Sequence, residues 1–91
     1  MNYPHLSGQT AFVSGASSGI GRACAELLAA HGVHLVVTAR RLERLENLAQ
    51  ELSTRYGINC LPLALDVQNA EQVDKVFKEL SRQKITLDIL L

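Results

Sequence analysis

Apolar residues fall in short continuous runs separated by longer stretches of helical spacing. Ala11-Phe12-Val13 is a run suited to a strand buried on both faces. From Ile20 the spacing becomes helical, with Ile20, Cys24, Leu27 and His31 on one stripe. Gly32 is a natural stop, and His31 just before it suits the negative helix end. His34 to Thr38 reads as a second strand, and Arg41 to Tyr56 as a helix burying Leu42, Leu45, Ala49 and Leu52. The other face of that helix is charged, with Glu51 and Arg55 at the i,i+4 spacing of an ion pair, and Gly57 ends it. Cys60 to Val67 is a third apolar run. Pro62 cannot donate to a sheet ladder, which puts this run at an edge or a strand start. Asn69 reads as an N-cap with Gln72 at the reciprocal position of a capping box. Val73, Val76, Phe77 and Leu80 then share one face of a third helix, and Thr86 to Leu91 forms a fourth strand.

Three strand–helix units in succession require parallel strands joined by right-handed crossovers. The expected fold is α/β: the N-terminal portion of a Rossmann-type doubly wound parallel sheet, βαβαβαβ, with strand order 3-2-1-4. Composition agrees. The 91 residues are 47% hydrophobic and only 4% aromatic, which suits one small domain with an aliphatic interior. Nine basic and nine acidic residues cancel, so nothing favours nucleic acid or an anionic membrane as partner. There is no apolar run long enough to span a bilayer, and Met1 to Gln9 lacks the regions of a signal peptide. Cys24 and Cys60 stand 36 positions apart without a Cys-x-x-Cys, so neither a disulfide framework nor a zinc site is indicated. A reducing, cytoplasmic setting is expected.

Between the first run and the first helix stands Ser14-Gly15-Ala16-Ser17-Ser18-Gly19-Ile20-Gly21. Gly15 can turn sharply because it tolerates positive φ, and Gly19 and Gly21 clear space where a helix start must approach a ligand and the sheet. Free amides and the helix dipole then point at one place, an anion site whose expected occupant is a dinucleotide pyrophosphate. The alternative is a glycine turn of purely structural use, which the strand–turn–helix context disfavours. The spacing is Gly-x-x-x-Gly-x-Gly, and no Lys-Ser or Lys-Thr follows to make a P-loop. Ser14 to Gly21 resembles the Thr-Gly-x-x-x-Gly-x-Gly motif of the short-chain dehydrogenase/reductase family, with Ser14 in place of the usual threonine. Leu6 to Val13 is similar to that family's lead-in, and the resemblance continues through Leu87-Asp88-Ile89-Leu90. It implies hydride transfer between a nicotinamide and an alcohol or carbonyl substrate, with residues 1–91 as the dinucleotide-binding units, truncated before the catalytic part.

Two further positions carry binding chemistry. An acid at the end of the second strand would receive the ribose hydroxyls of NAD, but the segment here is Thr38-Ala39-Arg40-Arg41, and no acid occurs until Glu43. An arginine can fork onto a 2′-phosphate instead. By the resemblance, Arg40 matches the arginine of members that use NADP; from its spacing, Arg44, four residues on, can share the phosphate. The alternative, a solvated helix start, sets three cations against the helix dipole. Asp66 and Val67 close the third run at the edge where ligands bind. The resemblance implies that Asp66 accepts a hydrogen bond from the adenine amino group and that Val67 makes a backbone contact; helix capping by Asp66 is the competing role. The cofactor-binding set is thus Gly15, Ser17, Ser18, Gly19, Ile20, Gly21, Arg40, Arg41, Asp66 and Val67, with NADP as cofactor.

Other candidates are weaker. His31 and His34 lack a third ligand for a metal, and Cys24 suits a small interior residue better than a nucleophile. The family's proton transfer needs a tyrosine and a lysine at i and i+4 on one helix. Tyr3 is followed four on by Ser7 and Tyr56 by Cys60, so no catalytic residue is assigned. Without one, a non-enzymatic nucleotide-binding or interaction module remains an alternative. A methyltransferase-like nucleoside binder is a weaker one, since the acid after the second strand is missing. The apolar fourth strand predicts self-association or pairing with the missing C-terminal part.

Overall fold

The structure, a computed structural model, describes residues 6–17 and 19–91. Ser18, named above as a cofactor ligand, and Tyr3 lie outside the described residues. The elements are β1 (Thr10–Ser14), α1 (Gly19–Ala30), β2 (His34–Ala39), α2 (Leu42–Tyr56), β3 (Cys60–Ala64), α3 (Ala70–Arg82) and β4 (Ile89–Leu90). They form one parallel sheet in the order β3-β2-β1-β4, the order expected from the alternation. β1 and β2 are central and pair from Thr10↔His34 to Ser14↔Thr38.

Alternation along the strands splits the interior into two layers. Ala11, Val13, Leu35, Val37 and Ala39 face α1 and α2, whose Ala25, Ala29, Leu45, Leu48 and Leu52 complete that core. Phe12 and Val36 face α3 with Leu65 and Leu80, and the ring of Phe12 stacks on Phe77 with centroids 5.1 Å apart. Leu35, Leu45 and Leu52 are completely buried, each contributing ~1.5–3 kcal/mol of hydrophobic stabilisation.

Several local expectations change. The stripe chosen for α1 faces the wrong way: Ile20 is 84% and Leu27 62% exposed, and the sheet receives Ala25 and Ala29 instead. The buried positions of α1 are small, with Leu28 packed partly buried beside them. Arg22 reaches Glu51 on α2 at 3.5 Å, so the charged face of α2 pairs with α1 and not internally through Arg55. α2 starts at Leu42, with Arg41 as its N-cap residue and no side-chain cap; Leu42 is partly exposed and Leu48 takes its place in the core. β3 ends at Ala64, three residues before the expected limit, and β4 is confined to Ile89–Leu90, although Asp88 and Leu91 extend its bonding through Thr10 and Phe12 carbonyls.

The remaining signals hold in place. Pro62 sits in β3, an edge strand. Gly57 ends α2 in the left-handed region, and His31 Nδ1 donates to the Leu27 carbonyl at the end of α1 (2.8 Å). Asn69 Oδ1 accepts from the amides of Glu71 and Gln72 at the start of α3.

Thr38 is fully buried in β2, and its hydroxyl has no hydrogen-bond partner among the described residues. Burying an unmatched hydroxyl costs ~1–3 kcal/mol. Thr38→Val, nearly the same in shape, is therefore expected to raise stability by about 1 kcal/mol, read as a higher urea midpoint at unchanged slope; a lower midpoint would mean that the hydroxyl is bonded.

Candidate nucleotide-binding site

The carboxyl ends of β1, β2 and β3 open on a cavity of about 390 Å³. Gly15 and Ser17 enter it from the turn after β1; Ala39, Arg40 and Arg41 from the end of β2; Arg44 from the first turn of α2; Leu65 and Val67 from the segment after β3. The turn is held in place by the Ala16 amide, which donates to the Thr38 carbonyl at 3.0 Å, and the far wall by the Leu65 amide on the Ala39 carbonyl at 2.8 Å. Both bonds continue the sheet's ladder past the strand ends, so the cavity is a direct extension of the sheet.

Glycine is required here for two different reasons. Gly15 and Gly19 have φ of 61° and 60°, a left-handed backbone that side chains disfavour. Gly21 has ordinary φ but no room: a Cβ there would stand 2.8 Å from the Gly15 carbonyl carbon and closer still to its oxygen.

Three guanidinium groups line the cavity and no carboxylate does. Asp66 borders it, with Oδ1 3.9 Å from Arg40 Nε. Both side chains are well exposed, so this pair contributes little on its own. Asp66 Oδ1 also accepts from the Gln68 amide at 3.0 Å, and its own amide donates to Gln72 Oε1 at 3.1 Å. Gln72 therefore reaches back to Asp66 and not to Asn69, as the expected capping box required, while the Asn69 amide is taken by the Asp66 carbonyl. Asp66 Oδ2 makes no hydrogen bond to the described residues.

Of the residues singled out in the sequence, Gly15, Ser17, Arg40, Arg41 and Val67 wall the cavity and Asp66 borders it. Gly19 and Gly21 lie at the start of α1 outside its lining, as does the exposed side chain of Ile20. Leu65 was not singled out. Its position beside Asp66, at the end of an alternating run, was the available signal.

The other reactive groups lie elsewhere. Cys60 opens β3 at the end opposite the cavity, where burial pushes its thiol up to about 11. His34 Nδ1 accepts from the Asn59 amide at 3.0 Å, also at the far end of the sheet. No cluster of three metal-ligating side chains occurs among the described residues. No helix there is long and apolar enough to cross a membrane.

An open turn of glycines, a hydroxyl and three cations without a facing acid fit the phosphates of a dinucleotide. Comparison with known proteins agrees. Residues 9–91 match the family described as short chain dehydrogenase, and the chain belongs to that family. Over 87 residues it is 37% identical to an NADP-dependent 3-hydroxy acid dehydrogenase of Schizosaccharomyces pombe, covering 94% of this chain and 34% of that protein. The crystal structure of L-sorbose reductase from Gluconobacter frateurii, complexed with NADPH and L-sorbose, superposes with a TM-score of 0.86 at 40% identity, covering 92% of this chain and 32% of that one. A short-chain dehydrogenase from Sphingobium yanoikuyae in complex with NADPH gives 0.80 at 35% identity, over 90% of this chain and 32% of that one. The chain thus spans about a third of the length of these relatives.

Gly21→Ala tests the close approach of α1 to the turn. Overpacking against backbone is expected to cost about 1–3 kcal/mol, measured as a fall in the urea midpoint. A change within error would show that α1 can move away freely.

Proposed function

We propose that this chain is the NADP(H)-binding segment of an oxidoreductase that transfers hydride between the nicotinamide and an alcohol or carbonyl substrate. The observation that carries the reading is the end of β2: Ala39, Arg40 and Arg41 wall the cavity with Arg44, and no carboxylate stands where ribose hydroxyls would be received. A 2′-phosphate brings nearly two negative charges to that place, and a guanidinium meets it with a planar fork of donors. Gly15, Ser17, Ser18, Gly19, Ile20 and Gly21 form the pyrophosphate turn; Asp66 accepts from the adenine amino group and Val67 supplies a backbone contact. The NADPH complexes of the similar enzymes support the assignment.

The chain holds no Tyr-x-x-x-Lys, so the reading gives it binding and orientation of the dinucleotide and leaves proton transfer to other parts of a parent enzyme. Its domain role is residues 1–91 as a dinucleotide-binding unit, and its setting the reducing cytoplasm.

Cofactor choice is the test. One charge-assisted hydrogen bond contributes ~1.5–3 kcal/mol, so Arg40 is expected to favour NADP over NAD by roughly ten- to a hundredfold. The double variant Ala39→Asp, Arg40→Ala should reverse that preference, because a carboxylate accepts ribose hydroxyls and repels phosphate. Dissociation constants for both nucleotides, in parent and variant, decide it: equal constants in the parent, or an unmoved ratio in the variant, would leave Arg40 a solvated helix start.

A homo-oligomer is the second part of the proposal. Leu90 on the edge strand β4 and Leu91 just after it are 64% and 53% exposed, and neither carries a charge to discourage pairing. Sedimentation at micromolar concentration is expected to show dimers or larger species; a single monomeric boundary with cooperative unfolding would overturn this.

A further inference from the structure

The capping box expected at α3 is displaced towards the site. The Asn69 amide, which Gln72 would take in such a box, donates instead to the Asp66 carbonyl at 2.9 Å. Gln72 Oε1 is thereby released and reaches past Asn69 to the Asp66 amide, six residues back, at 3.1 Å. The Gln72 amide stays with Asn69 Oδ1 at 3.2 Å, so the residue is anchored at both ends. Its orientation is forced, because only the oxygen of that side chain accepts from an amide.

Gln72 holds the chain where it leaves the sheet. The Leu65 amide makes the last bond to β2, on the Ala39 carbonyl at 2.8 Å. By alternation the next amide, that of Asp66, points away from β2, off the edge of the sheet, where no strand receives it. Gln72 supplies the missing acceptor. Beyond that amide the Asp66 carboxylate closes the turn through Oδ1, on the Gln68 amide at 3.0 Å, with Arg40 Nε 3.9 Å from the same oxygen. Two polar groups of the turn are left without a hydrogen bond to the described residues, Asp66 Oδ2 and the Val67 amide. One accepts, the other donates, and they belong to adjacent residues, of which Val67 lines the cavity.

We infer that Gln72 is a positioning residue for base recognition: by holding the Asp66 amide it keeps Asp66 Oδ2 and the Val67 amide in register for the edge of a 6-aminopurine. The inference rests on the adenine role given to Asp66 above and adds the residue that acts through it. A 6-amino group donates to the carboxylate, and the neighbouring ring nitrogen accepts from the amide. A 6-oxopurine reverses both, with an oxygen against the carboxylate and an N–H against the amide. Such a site rejects the wrong pattern steeply only while its own groups are held in place. α3 is the support from which they are held.

NADP and its hypoxanthine analogue differ only at that edge, so the ratio of their dissociation constants isolates the effect. Calorimetry on the 91-residue chain should favour NADP by about tenfold or more. Gln72→Ala should cut that ratio about fivefold, the effect of one neutral hydrogen bond. Gln72→Met, of similar length but without an oxygen, should do the same. Gln72→Glu keeps an acceptor at that reach and should restore the parent's ratio. In an Asp66→Ala background the ratio is already lost, and Gln72→Ala should change it no further, since one residue acts through the other. Preference for NADP over NAD, set at the end of β2, should match the parent's in every Gln72 variant. Weaker binding of both probes by the same factor would make Gln72 a part of the fold alone and overturn the positioning role, as would an unmoved ratio. A parent chain that binds both probes equally removes the adenine reading, and this inference with it.

Discussion

The contact between the start of α1 and the turn after β1 is the constraint on which the other features depend. Gly21 lies so close to the Gly15 carbonyl that not even a methyl group fits between them. α1 sits close on the sheet there, and its fully buried residues are the small Ala25 and Ala29, with Leu28 packed beside them. The turn on the other side of that contact contributes Gly15 and Ser17 to the cavity wall that the arginines share. A single short distance thus ties the start of α1 to the turn that walls the site.

The two layers differ in how they are built. The α1/α2 side is closed by small and branched side chains at low exposure, and the ion pair between Arg22 and Glu51 ties its two helices together at the surface. The α3 side rests on four buried residues, with half-buried Leu61, Leu63, Val73, Val76 and Phe77 around them. The site touches both layers, the first through Ala39 and the second through Leu65, and it meets the start of α3 at the turn around Asp66. That turn is held by side chains: Asp66 holds the Gln68 amide and Gln72 holds the Asp66 amide, so a ligand touching Asp66 would touch the first turn of α3.

Most of the architecture was legible because it depends on period and punctuation. Alternation of short apolar runs with helical stretches gave strand order, and Gly57, Asn69 and Pro62 each do in space what their chemistry prescribes. The face of α1 was not legible. Two apolar faces compete on that helix, and periodicity does not say which one must meet the sheet; the small-residue face wins because of Gly21. Nor could spacing distinguish Arg22 from Arg55 as the partner of Glu51, since an i,i+4 rule sees one helix at a time. At the site, the glycine turn and the arginines were readable as residue types with an obvious appetite for phosphate.

The two edges of the sheet have opposite characters. On β3 the Asn59 carbonyl and the Leu65 amide bond to β2, so by alternation the nitrogen of Pro62 points outward. The proline costs the interior nothing and strips a donor from the open side. On β4 the Leu91 amide and carbonyl bond to β1, which turns the backbone of Leu90 outward with both its groups intact. Pairing of two copies through β4 would bury the receptive edge of each and leave β3, with its proline, at both ends. Each end of such a sheet would lack the donor that Pro62 removes, so further strand pairing there would be weaker than pairing at β4.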